Sequence, residues 1–243
     1  MTTSNDINEN INTWISQINI EYKAAISVDC VIFGYDENHL RVLLLKSDMP
    51  PFEGKYSLVG DLVRPHENLD DSAKRVLLER TGLENLFLEQ VRTFSDVDRH
   101  PLGRVITTAY YSLVKLNDSL FKIEEDNPNL KWKKVNSICE LAFDHKLILE
   151  TCIEQLKFRL REKPIGFKLL PKKFSLKQLQ NLYEKVLDIE LDKRNFRRKL
   201  KALDLLVDLN ENQSDVNHRP AKLYSFDQEK YENKTKKGFN FEL

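Results

Sequence analysis

The sequence predicts an α+β protein of two domains, in which a sheet-containing N-terminal domain precedes a mainly helical C-terminal domain. Two stretches of the first half, Ile26 to Gly34 (ISVDCVIFG) and Leu40 to Lys46 (LRVLLLK), are apolar and rich in β-branched residues, which is typical of buried strands. In the second half, apolar residues recur at helical spacing instead. The segment Lys163-Pro164-Ile165-Gly166 interrupts the helical pattern, and the balance of charge changes sign there.

The distribution of charge supports this division. The 243 residues carry 38 Lys+Arg and 38 Asp+Glu, so the formal net charge is zero. Residues 165–243 hold 17 Lys+Arg and 12 Asp+Glu, which leaves this part at +5 and the remainder of the chain at −5. A basic region that follows an acidic one indicates two different tasks.

The cysteines and the N-terminus bear on the compartment. The 3 cysteines are widely spaced and lie in apolar contexts, which favours reduced thiols over disulfides or a metal site. The N-terminal MTTSNDINENINTW lacks the pattern of a secretion signal, and no run of about eighteen apolar residues occurs. We therefore expect a cytoplasmic protein with no metal, no cofactor and no membrane partner.

Further elements are predicted in the N-terminal domain. Strands are expected at Leu86 to Thr93 and at Val105 to Leu116, and ahead of both a helix capped by Asp70 or Asp71 ends near Gly82. A longer amphipathic helix is predicted from Leu141 to Arg161. The predicted boundaries are a leader at 1–22, the sheet domain at 23–163, the helical domain at 164–230 and a basic tail at 231–243.

The stretch from Gly60 to Leu83, GDLVRPHENLDDSAKRVLLERTGL, has the spacing of a known motif. It resembles the Nudix box, G-x5-E-x7-R-E-U-x-E-E-x-G-U with U aliphatic, the loop-helix of hydrolases of nucleoside-diphosphate-linked compounds. The matching positions are Glu67, Arg75, Leu77, Glu79, Gly82 and Leu83. The resemblance implies an α/β/α sandwich of the Nudix type, in which we expect Glu67, Arg75 and Glu79 to form an ion-pair framework that holds the loop.

The box is degenerate at the positions that would bind a metal ion. Residues 76, 79 and 80 lie on one face of the predicted helix, where three carboxylates would converge on a divalent cation. In this chain they are Val76, Glu79 and Arg80, and Mg²⁺ requires oxygen ligands. We therefore predict a non-catalytic Nudix domain without a metal. A Mg²⁺-dependent hydrolase that acts on a nucleotide sugar stays as the alternative.

The C-terminal domain has the order helix, short connection, helix, hairpin, which predicts a winged helix-turn-helix. Ser175 and Gln178 have capping-box spacing ahead of the first helix. The second helix is predicted from Asp192 to about Leu205, and strands at Leu206 to Leu209 and Ala221 to Phe226 form the hairpin.

The second of these helices, DKRNFRRKLKAL, carries an apolar stripe and a basic stripe. A solvated basic surface helix is the plain alternative, but in this motif the second helix is the one that enters the major groove. Asn195 is a candidate adenine reader, and an arginine beside a proline in the hairpin loop is a candidate wing contact. The candidate DNA-binding residues are Arg194, Asn195, Arg197, Arg198, Lys201 and Arg219.

Together the two halves resemble the Nudix-related transcriptional regulators, which include a regulator of NAD biosynthesis and an arabinose-responsive regulator. Besides the degenerate box, the resemblance rests on FSDVDRHPLGR at 94–104, LAFDH at 141–145, FSLKQLQNLYE at 174–184, NFRRK at 195–199 and RPAKLY at 219–224. It implies a homodimer that binds a palindromic operator in double-stranded DNA and responds to a small effector. A module that binds RNA or protein is a weaker alternative, because the basic stripe lacks interleaved aromatic residues.

The resemblance implies that the effector lies between the 60–67 loop, the end of the strand at Lys46 and the 94–104 segment. The candidate effector-binding residues are Lys46, Gly60, Asp61, Glu67, Asp98, Arg99 and Arg104. Salt bridges that only pin an irregular loop would explain the charged members equally well. Asp61 stands where the box has glycine, and a carboxylate there would repel phosphate but accept hydrogen bonds from sugar hydroxyls. We therefore expect a free sugar, with L-arabinose first, another pentose second, and ADP-ribose, in control of NAD metabolism, third.

Overall fold

The computed structural model describes residues 23–101, 103–116, 120, 123–214, 219–239 and 241, so the predicted leader at 1–22 lies outside the described residues. The N-terminal strands are β1 (Ala25–Tyr35), β2 (Leu40–Lys46), β3 (Tyr56–Ser57), β4 (Val59–Leu62), β5 (Glu89–Phe94), β6 (Val105–Lys115) and β7 (Leu130–Lys134). The predicted strands β1, β2, β5 and β6 are confirmed, with small shifts at their ends. The strands β3, β4 and β7 were not predicted, because two are very short and the third, LKWKK, is mostly basic.

Within the described residues these strands form one mixed sheet with β1 in the middle. β1 runs parallel to β6 and antiparallel to β2 and β4. In this register Asp29 of β1 lies opposite Gly60 of β4 on one side and Ala109 of β6 on the other. The start of the predicted loop at 60–67 is therefore part of the sheet, and it lies beside the one carboxylate of β1.

Helices pack on both faces of the sheet. α1 (Leu69–Thr81), a short α2 (Ile123–Asp126) and α3 (His145–Glu162) are the helices of this domain in the described residues. α1 shares a core with Cys30 and Ile32, whereas α3 shares a core with Val31 and Phe33. Because successive residues of a strand point to opposite faces, the layers are helix, sheet, helix. This confirms the predicted α/β/α sandwich.

The helix ends differ from the predicted ones for local reasons. The cap of α1 is Asn68, whose side chain accepts the Asp71 N–H, so the cap lies ahead of the predicted aspartates. Gly82 ends this helix with a φ of 72°, a left-handed conformation that favours glycine. α3 begins at His145 instead of Leu141, because Phe143 has a φ of 55° and cannot be helical.

The C-terminal domain is a winged helix-turn-helix, as predicted. It comprises β8 (Phe174–Ser175), α4 (Leu176–Leu187), α5 (Lys193–Leu203), β9 (Leu206–Asn212) and β10 (Lys222–Phe226). Ser175 and Gln178 form the predicted capping box, and the Asp192 side chain caps α5. The three strands form a small sheet in the order β8, β10, β9.

The predicted basic tail is partly helical. α6 (Gln228–Thr235) begins before residue 231, and the Lys234 ammonium donates to the Leu203 carbonyl at 2.8 Å. Lys230 pairs with Asp204 at 2.7 Å and lowers the pKa of that carboxyl. These contacts attach α6 to the C-terminal end of α5.

The apolar core runs without a break from the sheet domain into the C-terminal domain. A 3-10 helix at Pro164–Leu169 connects them, and a Cβ on Gly166 would meet Leu160 of α3 at 2.9 Å and Leu182 of α4 at 3.1 Å. Gly166 thus lies against side chains of both helices and joins α3 to α4. Across the described part of the chain, no helix is both long enough and apolar enough to span a bilayer.

Candidate functional site

A pocket of about 130 Å³ lies between β1, β2, β4, the end of α1 and the start of α3. Four of the predicted effector residues line it, namely Lys46, Gly60, Asp61 and Arg99. Several further lining residues with polar side chains were not predicted as contacts, among them Asp29, Arg80 and His145. The pocket lies between the three segments that the sequence indicated, but its polar floor comes from elements that the sequence did not indicate.

The floor of the pocket is a buried polar network around Asp29, whose side chain is 6% exposed. One carboxylate oxygen accepts the Thr107 hydroxyl at 2.7 Å, and the same oxygen lies 3.8 Å from the Arg99 guanidinium. The other oxygen lies 3.4 Å from His145 Nε2. A Cβ on Gly60 would come within 2.2 Å of this second oxygen, so only glycine at position 60 leaves room for the carboxylate.

Arg99 and His145 complete the network from opposite sides. The Arg99 guanidinium donates to both oxygens of Asp144 at 2.8 and 2.6 Å, and its side chain is only 3% exposed. His145 Nδ1 accepts the Leu58 N–H at 2.9 Å. Burial lowers the pKa of His145, so the ring is neutral near pH 7 and its Nε2 carries the proton that faces Asp29. The network thus holds two carboxylates against one guanidinium and leaves a buried negative charge under the pocket.

Asp61 and Arg80, two of the three residues that depart from the box, bind each other at the pocket wall. Asp61 Oδ2 accepts from Arg80 Nε at 3.1 Å and from Nη2 at 2.5 Å. The side chains are 32% and 37% exposed. We expected a carboxylate at position 61 to repel phosphate. That expectation was wrong, because the guanidinium from α1 offsets the charge of the carboxylate.

The expected ion-pair framework is present beside the pocket, in the loop that precedes α1. Arg75 donates to Glu67 at 2.5 and 2.8 Å and to Glu79 at 3.0 Å. Arg64 also donates to Glu79, at 3.1 Å, and its backbone N–H donates to Glu67. The hydrogen bonds from Arg75 lower the pKa of Glu67 to about 2. Glu67 and Glu79 are therefore engaged in holding the loop.

Three predicted effector residues do not line the pocket. Glu67 belongs to the ion-pair framework. Asp98 is exposed on the 94–104 segment. Arg104 donates to the Ser95 carbonyl at 2.6 Å and so ties that segment to itself. The sequence alone does not distinguish these three residues from Arg99, which does line the pocket. The partner of Arg99, Asp144, lies 45 residues away in the chain.

The metal positions of the box are unsuited to a divalent cation. Val76 is fully buried in the core beside Cys30 and Tyr110, and Glu79 is paired with two arginines. Within the described residues, no group of three or more His, Cys, Asp or Glu side chains could hold a metal ion. The residues present therefore do not fit the Mg²⁺ that an intact box would bind.

The second polar surface is α5. Phe196, Leu200 and Leu203 are buried, and the predicted contact residues Arg194, Asn195, Arg197, Arg198 and Lys201 are all exposed. Asn195 accepts a hydrogen bond from Arg198 at 2.7 Å, which orders two side chains of the stripe. Arg219 is exposed next to Pro220, and residues 215–218 of the same loop lie outside the described residues. The helix thus presents the basic face that its sequence predicts.

Two family models match the chain in succession. The model described as NUDIX domain matches residues 23–155, and the model described as NrtR DNA-binding winged helix domain matches residues 166–226. The 3-10 helix at Pro164–Leu169 begins between the two matched ranges.

Similar proteins carry the same pair of domains or the first one alone. The ADPR responsive transcriptional repressor NtrR of Acinetobacter baylyi is 30% identical over 220 residues, which cover 89% of this chain and 85% of that protein. An ADP-ribose pyrophosphatase of Methanocaldococcus jannaschii is 29% identical over 126 residues, which cover 52% of this chain and 71% of that protein. The crystal structure of Shewanella oneidensis NrtR complexed with a 27mer DNA superposes with a TM-score of 0.71 at 26% identity, covering 89% of this chain and 97% of that one.

Proposed function

The chain belongs to the Nudix-related DNA-binding regulators of the NrtR type, and from this premise we propose that it is a transcriptional repressor whose effector is ADP-ribose. One observation carries the proposal. A single helix, α3, begins in the wall of the Nudix-domain pocket at His145 and ends at the connection to the winged helix. A ligand in the pocket would therefore lie next to a helix whose other end packs against the DNA-binding domain.

ADP-ribose is preferred to a free sugar for two reasons. The relative that spans 89% of this chain is named as responsive to ADPR, and the pyrophosphatase that matches the Nudix part is named for ADP-ribose. Arg80 offsets the charge of Asp61, so this carboxylate does not favour L-arabinose over a ligand that carries phosphates. A diphosphate is compatible with this wall of the pocket.

The route from the pocket to the DNA-binding domain is short and well packed. Asp144 and His145, at the start of α3, belong to the buried network under the pocket. At the other end of α3, Leu160 packs against Gly166, which in turn contacts Leu182 of α4. Because packed cores change between discrete arrangements, a small displacement of α3 would alter the position of the winged helix. In a homodimer, this would change the spacing of the two α5 helices on a palindromic operator.

We also propose that the Nudix domain does not hydrolyse its ligand. Nudix chemistry uses carboxylates at 76, 79 and 80, and this chain offers a buried valine, a glutamate held by two arginines and a paired arginine. A turnover assay with ADP-ribose and Mg²⁺ tests this. Release of AMP and ribose 5-phosphate at a rate proportional to enzyme would contradict it.

The size of the pocket favours L-arabinose, a free pentose, as the second candidate for the effector. Its volume of about 130 Å³ is below the roughly 300–1,000 Å³ of pockets that enclose drug-sized ligands. A free pentose would fill such a space, whereas ADP-ribose would have to extend over the rim or widen the pocket. L-arabinose is therefore the comparison ligand in the experiment that follows.

Fluorescence polarisation with a labelled duplex from the gene's own upstream region tests the proposed function. We expect salt-dependent binding, and we expect ADP-ribose to weaken it by about 5- to 150-fold, which corresponds to a typical allosteric coupling of about 1–3 kcal/mol. AMP serves as the control for the adenylate half. Unchanged DNA affinity in millimolar ADP-ribose would refute the proposal, and release by L-arabinose alone would favour the second candidate.

A further inference from the structure

A ligand that contains a diphosphate brings about two negative charges. Among the residues that the structure describes, no cluster of carboxylates could hold the Mg²⁺ that would normally offset them. The helix face of the box presents Arg80 in place of a metal-binding glutamate, and Val76 is in the core. Glu79, which keeps its position, is bound by Arg64 and Arg75. A positive charge for the diphosphate must therefore come from a side chain.

Arg80 is placed to supply that charge. It lines the pocket from the last turn of α1, at the position where an intact box has a carboxylate. Its Nε and Nη2 both donate to a single oxygen of Asp61, whose other oxygen accepts the Leu62 N–H at 2.7 Å. Nη1 has no hydrogen-bond acceptor within the described part of the chain, so the guanidinium keeps donors for a ligand. A planar guanidinium matches two phosphate oxygens, which an ammonium does not.

A ligand can also take the place of Asp61 as the partner of Arg80. Both side chains are about one-third exposed, and ion pairs in such positions are weak because water screens them. The Arg99 pair in the same pocket differs, because that guanidinium is buried and held by both oxygens of Asp144. Arg80 is thus an exchangeable cation of the pocket wall, as is the exposed Lys46, whereas Arg99 is fixed.

We infer that Arg80 binds the diphosphate of the ligand in place of a metal ion, and that Asp61 holds Arg80 in the ligand-free protein and competes with the ligand for it. This inference rests on the proposed ADP-ribose function. It assigns opposite effects to the two members of the pair. Loss of Arg80 removes the counter-charge, whereas loss of the Asp61 charge frees it.

Isothermal titration calorimetry of the full chain with ADP-ribose, once in EDTA and once in Mg²⁺, tests the inference. We expect the wild-type Kd to agree within about twofold between the two buffers. Arg80→Ala should raise the Kd at least about tenfold and Arg80→Lys by less, because a lysine keeps the charge but loses the planar donor pair. Asp61→Asn should lower the Kd. Lys74→Ala is the matched control, since Lys74 is a cation of the same helix that pairs with Asp71 and does not line the pocket.

The ligand series separates a binding role from a structural one. The loss in Arg80→Ala should be confined to ADP-ribose and ADP, with adenosine affected less than about twofold. Thermal melts of each variant without ligand establish that the protein is folded. Parallel weakening by Asp61→Asn and Arg80→Ala would mean that the pair only holds the wall, and it would overturn the inference. Binding that requires Mg²⁺, or an unchanged Kd in Arg80→Ala, would overturn it as well while the proposed function stands. If the wild type did not bind ADP-ribose, both the proposed function and this inference would be refuted.

Discussion

Replacement of Gly60 by alanine perturbs the floor of the pocket at one defined point. Gly60 lies opposite Asp29 in the β1–β4 pair, and an added Cβ would be 2.2 Å from a carboxylate oxygen of Asp29 and 2.9 Å from the Val28 carbonyl oxygen. Contacts this short do not occur in folded proteins. Either the Asp29 side chain must rotate, or β4 must move away from β1.

The magnitude follows from what each response loses. Overpacking of a tight site costs about 1–3 kcal/mol. Rotation of Asp29 also breaks its 2.7 Å hydrogen bond from Thr107, and hydrogen bonds to charged groups contribute about 1.5–3 kcal/mol. The two costs do not add in full, because rotation of Asp29 removes part of the overpacking. We therefore expect Gly60→Ala to lower the free energy of unfolding by about 3 kcal/mol. For a chain of this size, that corresponds to a fall in Tm of about 6–12 °C.

Thermal unfolding followed by circular dichroism measures this loss, and a double-mutant cycle assigns its origin. In an Asp29→Ala background the carboxylate is gone, so the added cost of Gly60→Ala should fall by about half, with only the Val28 contact left. Gly54→Ala is the control, because position 54 has open space around it and only its φ of 79° opposes the change, at a cost of about 1–2 kcal/mol. Equal costs of Gly60→Ala in both backgrounds would refute the steric argument, as would a fall in Tm no larger than that of Gly54→Ala.

Three further outcomes are expected. Arg99→Leu leaves the buried carboxylates of the network without their cation, so urea unfolding should show a loss of about 3–5 kcal/mol, and a loss below about 1 kcal/mol would contradict the buried pairing. The pKa of Glu67 is lowered to about 2, so its stabilisation is complete above the unfolded-state pKa of about 4.3 and disappears as the pH falls through 2. The Tm advantage of the wild type over Glu67→Gln should therefore be constant from about pH 7 to 5 and shrink from pH 4.5 to 2.5, and an advantage as large at pH 2.5 as at pH 7 would be inconsistent with it. If Arg197 contacts a DNA phosphate, Arg197→Ala should reduce the slope of log K against log salt by about 0.9, and an unchanged slope would remove that residue from the interface.

The charged residues of the pocket illustrate what spacing along the chain can and cannot predict. The alignment of the box with the chain could be predicted because its positions have a fixed spacing. The ion pairs of Glu67, Arg75 and Glu79 lie where that alignment predicts them. The electrostatic role of Asp61 was not readable, because its partner is 19 residues away and reaches it only when α1 packs on the sheet.

Asp29 is a similar case. A single aspartate in the apolar stretch ISVDCVIFG is a signal in itself, because an unpaired buried carboxylate is too costly to retain. Its partners could not have been named from the sequence. Thr107 lies 78 residues away, and His145 is positioned by α3.

The sequence by itself determined the two-domain order, the amphipathic α5 and the winged helix-turn-helix, because helix and strand periodicities and capping residues act over a few neighbouring positions. It also determined that the carboxylates of the Nudix box are incomplete. The tertiary structure alone decided which charges are neutralised. Pairing of β4 with β1 brings Gly60 against Asp29, and packing of α1 brings Arg80 to Asp61. An ionisable side chain acquires its role from the charges and the solvent around it, and in this protein those neighbours come from distant parts of the chain.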